Sequence, residues 1–253
     1  MRRLIVISGA GLSAESGIPT FRSGSTAMWE NFSIDEVCNI HTFAKNYYKV
    51  HDFYNARRVA LGSVDPNLAH LRIAEWYSRW SGRVINLTTN VDDLLERAGV
   101  KHEDILHVHG YLPEITYEDA EGNDVIKNIG YTEVDTGKYT WVKPNVVFFG
   151  EVAPKYTDMY DLLTSLTSND MVILVGCSNT VINFNWELFP ATCKGTKLLI
   201  VNKYDSQSAD GSGISRSDLY QYEDRGIPVW FNGAVDAFSD KTFIETVENF
   251  MEL

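Results

Sequence analysis

Two sets of residues have the types and spacing needed for chemistry on a nucleotide. The first is Gly-Ala-Gly at residues 9–11, which follows an apolar run at 4–7 and precedes Ser13 and Ala14. Glycine lets a strand-to-helix turn adopt positive φ and approach a pyrophosphate closely, and the N–H groups of the following helix face the anion. The turn predicts dinucleotide binding, with a ligand-free glycine turn as the alternative.

The second set could supply acid–base chemistry. Asn90 and Asp92 follow an apolar strand, and His109 follows a strand that begins at Ile105. Ligands bind at the carboxyl ends of parallel strands, and histidine is the usual general base near neutral pH. Asn or Asp here could instead cap a helix. His107 shares a face with His109 on an extended backbone, and we choose His109 as the base.

A third pair could recognise an anion. Tyr54 and Arg57 lie three residues apart in a helical pattern and therefore share a face. A guanidinium fork and a phenol O–H can hold one carboxylate. The alternative is a solvated helix face on which Arg57 or Arg58 pairs with a surface acid.

The elements that must position these residues alternate between strands and helices. Seven strand candidates predict an α/β fold, a Rossmann-like doubly wound parallel sheet in a single domain over residues 1–253. A helical module is expected to be inserted at 23–82, and a small β segment at 111–142. Within them we predict a helix over 42–61, a cap at Asp65 for the helix that follows, and turns at 121–124 and 135–138. One closing helix is expected from Asp236 to Met251.

Composition excludes several classes of protein. The chain of 253 residues is 44% hydrophobic and can bury a substantial core, and its net charge of −12 argues against nucleic acid as a partner. Acidity suits basic protein or peptide partners. No apolar run is long enough to cross a membrane or to serve as a signal peptide, so we expect no membrane partner and a cytoplasmic protein. The oligomeric state is not indicated.

The cysteines indicate neither a disulfide framework nor a metal site. Cys38, Cys177 and Cys193 are few, far apart and without a C-x-x-C motif. We expect all three to be small core residues, and we predict no metal. Cys177 has no evident activating base and is a weak candidate nucleophile.

Taken together, these motifs resemble the sirtuins, the NAD-dependent protein deacylases. The stretch Gly-Ala-Gly-Leu-Ser-Ala-Glu-Ser-Gly-Ile-Pro-Thr-Phe-Arg at residues 9–22 matches their signature, as do His109-Gly110 and Lys-Pro-Asn-Val-Val-Phe-Phe-Gly-Glu at 143–151. Asn90 and Asp92 match positions that line the nicotinamide and ribose pocket. Thr89, Asp93 and Leu95 replace a glutamine, a glycine and a histidine of the pattern, and the four zinc cysteines of most sirtuins are absent.

The resemblance implies NAD as the cofactor and acylated proteins or peptides as substrates. It implies that the acyl oxygen attacks C1′ of the nicotinamide ribose, that His109 takes a proton from a ribose hydroxyl, and that nicotinamide and O-acyl-ADP-ribose are released. Tyr54 and Arg57 match the class III pair that recognises malonyl-, succinyl- or glutaryl-lysine. An apolar slot of Phe21, Val91 and Phe148 or Phe149 would hold the lysine stem, and the Phe-Gly-Glu backbone would pair with an extended peptide.

Two other functions stay open on the same residues. One is an NAD glycohydrolase or ADP-ribosyltransferase, which Thr89 and the missing cysteines favour. The other is a noncatalytic sensor of NAD or ADP-ribose.

The predicted site residues fall into three groups. The catalytic residues are His109, Asn90 and Asp92. The cofactor-binding residues are Gly9, Ala10, Gly11, Ser13, Phe21, Arg22, Thr89, Asn90, Val91, Asp92, Gly176, Cys177, Ser178, Asn202 and Ala234. The substrate-binding residues are Tyr54, Arg57, Phe148, Phe149, Gly150 and Glu151.

Overall fold

The computed structural model describes residues 1–19, 32–205 and 213–253. Within these ranges six strands form one parallel sheet and three form a small antiparallel sheet. The strands are β1 Arg3–Ser8, β2 Val84–Thr88, β3 Ile105–His107, β4 Gly110–Glu118, β5 Asp124–Asn128, β6 Val142–Val146, β7 Asp170–Val175, β8 Lys197–Val201 and β9 Val229–Trp230.

The same ranges contain eleven α-helices and two short 3-10 segments. The helices are α1 Gly11–Ala14, α2 Ile34–Val37, α3 Ile40–Phe43, α4 Tyr47–Leu61, α5 Leu68–Arg79, α6 Leu94–Ala98, α7 Tyr156–Thr164, α8 Phe184–Cys193, α9 Arg216–Asp224, α10 Ala234–Ser239 and α11 Lys241–Glu252. The 3-10 segments are His102–Asp104 and Thr136–Lys138.

The parallel sheet confirms the predicted Rossmann-like fold. Its strand order is β3-β2-β1-β7-β8-β9, which places the reversal of order between β1 and β7. In doubly wound sheets the ligand crevice opens at this reversal, beyond the carboxyl ends of the strands. The glycine turn after β1 and the turn after β7 therefore lie at the point where a ligand is expected.

Both faces of the sheet are covered by helices. Alternate residues of β1 point to opposite faces, so Leu4 and Val6 join one core cluster while Ile5 and Ile7 join another. The first cluster includes residues of α5, α10 and α11, and the second includes residues of α7, α8 and α9. Burial on both faces explains why these strands are continuous apolar runs rather than alternating ones.

The small sheet has the order β5-β4-β6. Its residues Leu112 and Val146 pack with α4 residues Phe53, Tyr54 and Leu61 in a third core cluster. Helix α5, in contrast, packs against the parallel sheet. The helices of the predicted inserted module thus contact two different layers, and the division of the chain at 23–82 and 111–142 stays a prediction.

Several local expectations were wrong. The helix expected over 42–61 is broken before Tyr47, and the closing helix is broken at Asp240, whose side chain accepts the Phe243 N–H and begins α11. Asn67, not Asp65, caps α5 through bonds from the N–H groups of the first turn.

The second predicted turn is a 3-10 segment over Thr136–Lys138. Cys38 and Cys177 are buried as expected, but Cys193 is exposed. None of the described helices is long and apolar enough to cross a membrane.

Candidate active site

One cavity of about 770 Å³ opens at the reversal of strand order. It extends from the glycine turn after β1 to the side chains of Tyr54 and Arg57 on α4. Its volume is near the upper end of the range typical of small-molecule sites. The cavity joins the two halves of the predicted site into one continuous space.

The glycine turn packs directly against the turn that follows β7. A Cβ atom on Gly11 would lie 2.6 Å from the Cα of Gly176, and one on Gly9 would lie 2.6 Å from the Gly176 carbonyl oxygen. Gly176 itself has a φ of +64°. The glycines are therefore required for the close approach of the two turns, a contact that sequence reasoning did not anticipate.

The N–H groups of this turn are not all open to an anion. Those of Gly11, Leu12 and Ser13 donate to the carbonyls of Gly176, Gly9 and Ala10 at 3.0, 2.9 and 3.2 Å. The expectation that the first helical turn presents unpaired N–H groups is wrong for these three, because Gly11 donates to the turn after β7 and the other two donate within their own turn.

Asn90 and Asp92 are connected to the glycine turn through Ser13. Asn90 Nδ2 donates to the Gly9 carbonyl at 3.0 Å and to Ser13 Oγ at 3.2 Å, and Ser13 Oγ donates to Asp92 Oδ2 at 2.8 Å. Ser13 Oγ also lies 3.3 Å from Nε2 of the buried His70. This network fixes the loop after β2 against the loop after β1.

Asp92 also accepts the Leu94 N–H at 3.2 Å at the beginning of α6. The residue at the cap position of α6 is Asp93, which makes no side-chain cap bond, so Asp92 contacts the first helical N–H from one position earlier and also lines the cavity. Burial raises the pKa of Asp92 to about 6, against the hydrogen bonds from Ser13 and Leu94. A carboxyl group in a cleft with a pKa near neutral pH is typical of a functional site.

His109 lies in the cavity, and its Nε2 is 3.0 Å from the hydroxyl of Tyr156. Burial lowers its pKa, while a hydrogen bond with the Thr89 backbone acts in the opposite direction. The Tyr156 hydroxyl donates to Nε2 in the tautomer that leaves the lone pair on this nitrogen, and accepts from it in the other tautomer.

His107 has different surroundings. Strand β3 ends at His107, so the extended backbone that would place both imidazoles on one face does not continue to His109. His107 Nε2 is 2.9 Å from Glu96 Oε1, and its ring packs against His102 and Tyr111. The predicted common face was wrong, and the choice of His109 for the cavity agrees with the structure.

The far end of the cavity is formed by α4. Tyr54 is buried and its ring is stacked on that of Phe148, with centroids 5.6 Å apart. Burial lowers the pKa of the Arg57 guanidinium to about 10, so Arg57 remains a cation at neutral pH. The guanidinium lies 4.1 Å from the centroid of the Phe53 ring. A buried cation beside a buried phenol favours an anionic ligand at this end.

The segment after β6 forms one wall. Both backbone polar groups of Phe149 are bonded within the chain, since its N–H donates to the Cys38 carbonyl and its carbonyl accepts the Ile40 N–H. The expected pairing of this residue with an extended peptide is therefore blocked in this structure. Glu151 Oε2 accepts the Phe148 N–H and an ammonium bond from Lys143 at 3.0 Å, which fixes the turn.

Comparison with known proteins identifies the family. A model of the Sir2 family matches residues 9–183. The chain belongs to the Sir2 family. An "NAD-dependent protein deacylase" of Campylobacter jejuni strain RM1221 is 37% identical over 257 residues, which cover 100% of this chain and 98% of the relative.

Further similarities support the Sir2 assignment. A Helicobacter hepaticus protein with the same name is 40% identical over 205 residues, covering 73% of this chain and 78% of the relative. A structure described as a Sir2 homolog–NAD complex matches with a TM-score of 0.70 and 26% identity, over 98% of this chain and 90% of that one. This Sir2 chain is an enzyme that uses NAD, as the sequence motifs predicted.

The cavity of this Sir2 enzyme fits NAD by the chemistry of its donors and acceptors. Hydroxyls, amides, a carboxyl and an imidazole converge on a largely apolar space beside a turn without side chains at Gly9 and Gly11. Asn202 Nδ2 donates to the Cys177 carbonyl at 2.8 Å, and so holds the loop after β7.

The structure brings most of the predicted site residues of this Sir2 protein to the cavity wall. These are Gly9, Ala10, Gly11, Ser13, Thr89, Asn90, Val91, Asp92, His109, Gly176, Cys177, Ser178, Asn202, Tyr54, Arg57, Phe148, Phe149, Gly150 and Glu151. Ala234 is buried in the first core cluster rather than at the cavity wall. Phe21 and Arg22 lie outside the described residues.

One Sir2 site residue has no signal in the sequence. Tyr156 lines the cavity and contacts His109, but no motif includes it. Burial raises the pKa of the Cys177 thiol, which argues against its role as a nucleophile.

Proposed function

We propose that this Sir2 protein is an NAD-dependent protein lysine deacylase that favours acidic acyl groups such as succinyl and malonyl. The observation that carries the proposal is the continuous cavity, which is lined by His109 and the glycine turn at one end and by Tyr54 and Arg57 at the other. A modified lysine entering between these ends would place its acyl carbonyl near His109 and its distal carboxylate near Arg57.

NAD, when bound, supplies a glycosidic bond whose cleavage releases nicotinamide and leaves an ADP-ribosyl group that takes up the acyl group. In the tautomer with the lone pair on Nε2, His109 would accept the proton of a substrate hydroxyl in place of the Tyr156 O–H, and burial favours the neutral ring. Asn90 and Asp92, fixed through Ser13, would orient the ribose and the nicotinamide amide.

The apolar walls would exclude water from the reacting groups. Val91 and Phe148 lie between the two ends of the cavity and offer the contact expected for a lysine stem. Arg57 and Tyr54 would then give selectivity, because a distal carboxylate can accept charge-assisted bonds from the guanidinium and a bond from the phenol, which an acetyl group cannot.

The test is the ratio of kcat/KM for succinyl-lysine and acetyl-lysine forms of one peptide. Arg57→Met removes the charge and keeps much of the side-chain volume, so we expect the ratio to fall by about tenfold or more, on the order of 1.4 kcal/mol per factor of ten. Arg58→Lys is the matched control, since Arg58 binds the Leu112 carbonyl and is not at the cavity wall. An unchanged ratio in Arg57→Met would contradict the selectivity.

A second candidate function has one observation in its favour. Because the Phe149 backbone is bonded to residues 38 and 40, less of this segment is open to a peptide. Together with Thr89, this favours a glycohydrolase or ADP-ribosyltransferase, for which nicotinamide release would not require an acyl peptide. Membership of an enzymatic family argues against the noncatalytic sensor, and the cytoplasmic location stays a prediction from the sequence.

A further inference from the structure

A cluster of three side chains lies outside the cavity, behind the loop that carries Asn90 and Asp92. Glu96 of α6, His102 of a 3-10 segment and His107 of β3 bring ligand atoms within 4.8 Å of one another. His102 Nδ1 and His107 Nε2 lie 2.8 and 2.9 Å from the same carboxylate oxygen, Glu96 Oε1. Two imidazoles and a carboxylate are the ligand set of many zinc sites.

His107 lies between two oxygen atoms. Its Nδ1 is 3.4 Å from the Asn90 carbonyl oxygen, and its Nε2 is 2.9 Å from Glu96 Oε1. A neutral imidazole has one N–H and one lone pair. With the N–H directed at the Asn90 carbonyl, the Nε2 lone pair would be left for a metal ion beside the carboxylate.

Glu96 has capacity for a cation that its two imidazole partners do not use. The Glu96 side chain is only 13% exposed, and its Oε2 is buried without a hydrogen bond within the described part of the chain. One carboxylate oxygen therefore contacts both imidazoles, and the other is available to contact a metal ion.

The surroundings provide both support and access. His107 is 8% exposed and is held by its contact with Asn90 and by the ring of Tyr111, whereas the side chain of His102 is 50% exposed. A backbone carbonyl on the distal ring nitrogen is the usual partner that orients a metal-binding histidine. An ion can reach the cluster from the exposed side of His102. Three protein ligands would leave the fourth tetrahedral position for water.

We propose that Glu96, His102 and His107 form a binding site for a divalent transition-metal ion of the zinc class, which joins α6, β3 and the intervening 3-10 segment behind the active-site loop. The site uses histidines and a carboxylate, and Tyr111 of β4 packs against both imidazole rings. Because His107 also contacts the Asn90 backbone, occupancy would stiffen the loop that carries Asn90 and Asp92.

The test is metal binding by the full chain with Cys193→Ser, which removes the exposed thiol. The protein is stripped with a chelator and titrated with ZnCl2 by calorimetry at neutral pH. The absorption of bound Co²⁺ then reports the coordination geometry. We expect one Zn²⁺ per chain and a rise in Tm that follows the occupancy.

Two variants and one control locate the ion. Glu96→Gln, which keeps a hydrogen-bonding side chain, and His102→Ala, at the exposed position, should each weaken Zn²⁺ binding by about tenfold or more. His41→Ala removes another exposed histidine and should leave the affinity unchanged. Failure of the parent protein to bind Zn²⁺ at micromolar concentration, or equal affinity in the parent and both cluster variants, would overturn the proposal.

Discussion

At the scale of single residues, the environment rather than the residue type assigns the roles. His107 and His109 are two positions apart, yet one faces a carboxylate behind the loop and the other lies in the cavity against Tyr156. The sequence supports the choice of His109 through its motif, but it contains no information on where β3 ends. Tyr156 had no signal, because a tyrosine at a helix start most often has only a packing role.

His109 gives a prediction about pH. Burial lowers its pKa below the ordinary value of 6.5, so the ring is neutral and able to accept a proton throughout the neutral range. We expect kcat to fall on the acid side with an apparent pKa below 6.5. His109→Ala should abolish deacylation and retain NAD binding, as followed by calorimetry. An acid limb above pH 7, or near-normal turnover of the variant, would contradict the assignment.

Asp92 gives a prediction about stability. Its pKa is raised from 3.8 to about 6, so between these values the folded protein holds a proton that the unfolded chain has released. The free energy of unfolding therefore falls as the pH rises through this window, by at most about 3 kcal/mol. The amide in Asp92→Asn does not titrate.

As the pH rises from 4 to 7, the free energy of unfolding of the wild type should therefore fall relative to that of Asp92→Asn. Urea denaturation at several pH values measures it. A difference that is independent of pH would show that burial does not raise this pKa.

At the scale of elements, apolar periodicity predicted the existence of most strands and helices, and local side-chain bonds decided where they begin and end. Strands β7 and β8 end where continuous apolar runs end, at Val175 and Val201. The beginnings of α5 and α11 were misplaced because they depend on the caps Asn67 and Asp240. Several Asp and Asn residues near each helix could have served equally well as caps.

The cap of α5 can be tested directly. Asn67 Oδ1 accepts the N–H groups of Ala69 and His70, and its Nδ2 donates to the Leu12 carbonyl at 2.8 Å. Asn67→Ala should reduce the free energy of unfolding by about 1–2 kcal/mol. Asn46→Ala is the control, since Asn46 precedes α4 without a side-chain cap bond and should cost clearly less. Equal effects in chemical denaturation would show that the Asn67 bonds do not stabilise the helix.

At the scale of the whole molecule, topology brings distant residues together. Gly11 and Gly176 approach because β1 and β7 are neighbours at the reversal of strand order. Residues of α4 reach the same cavity because α4 packs on the small sheet and on Phe148. Matches to the family's motifs predicted that these residues share one site, but apolar periodicity and residue spacing alone did not.

Some contacts between elements escaped prediction. The Glu96 cluster needed knowledge of how α6 lies against β3, and the bonding of Phe149 to residues 38 and 40 depends on the loop between α2 and α3. These contacts join different elements, and residue spacing along the sequence does not determine the distance between side chains on two elements.

The measurement that tests the central claim most directly is the rate of nicotinamide release from NAD in the presence and absence of a succinyl-lysine peptide. A single cavity that serves both NAD and an acidic acyl-lysine predicts release that depends on the peptide, with stoichiometric appearance of free lysine. Release at the same rate without the peptide, or no release under either condition, would contradict it.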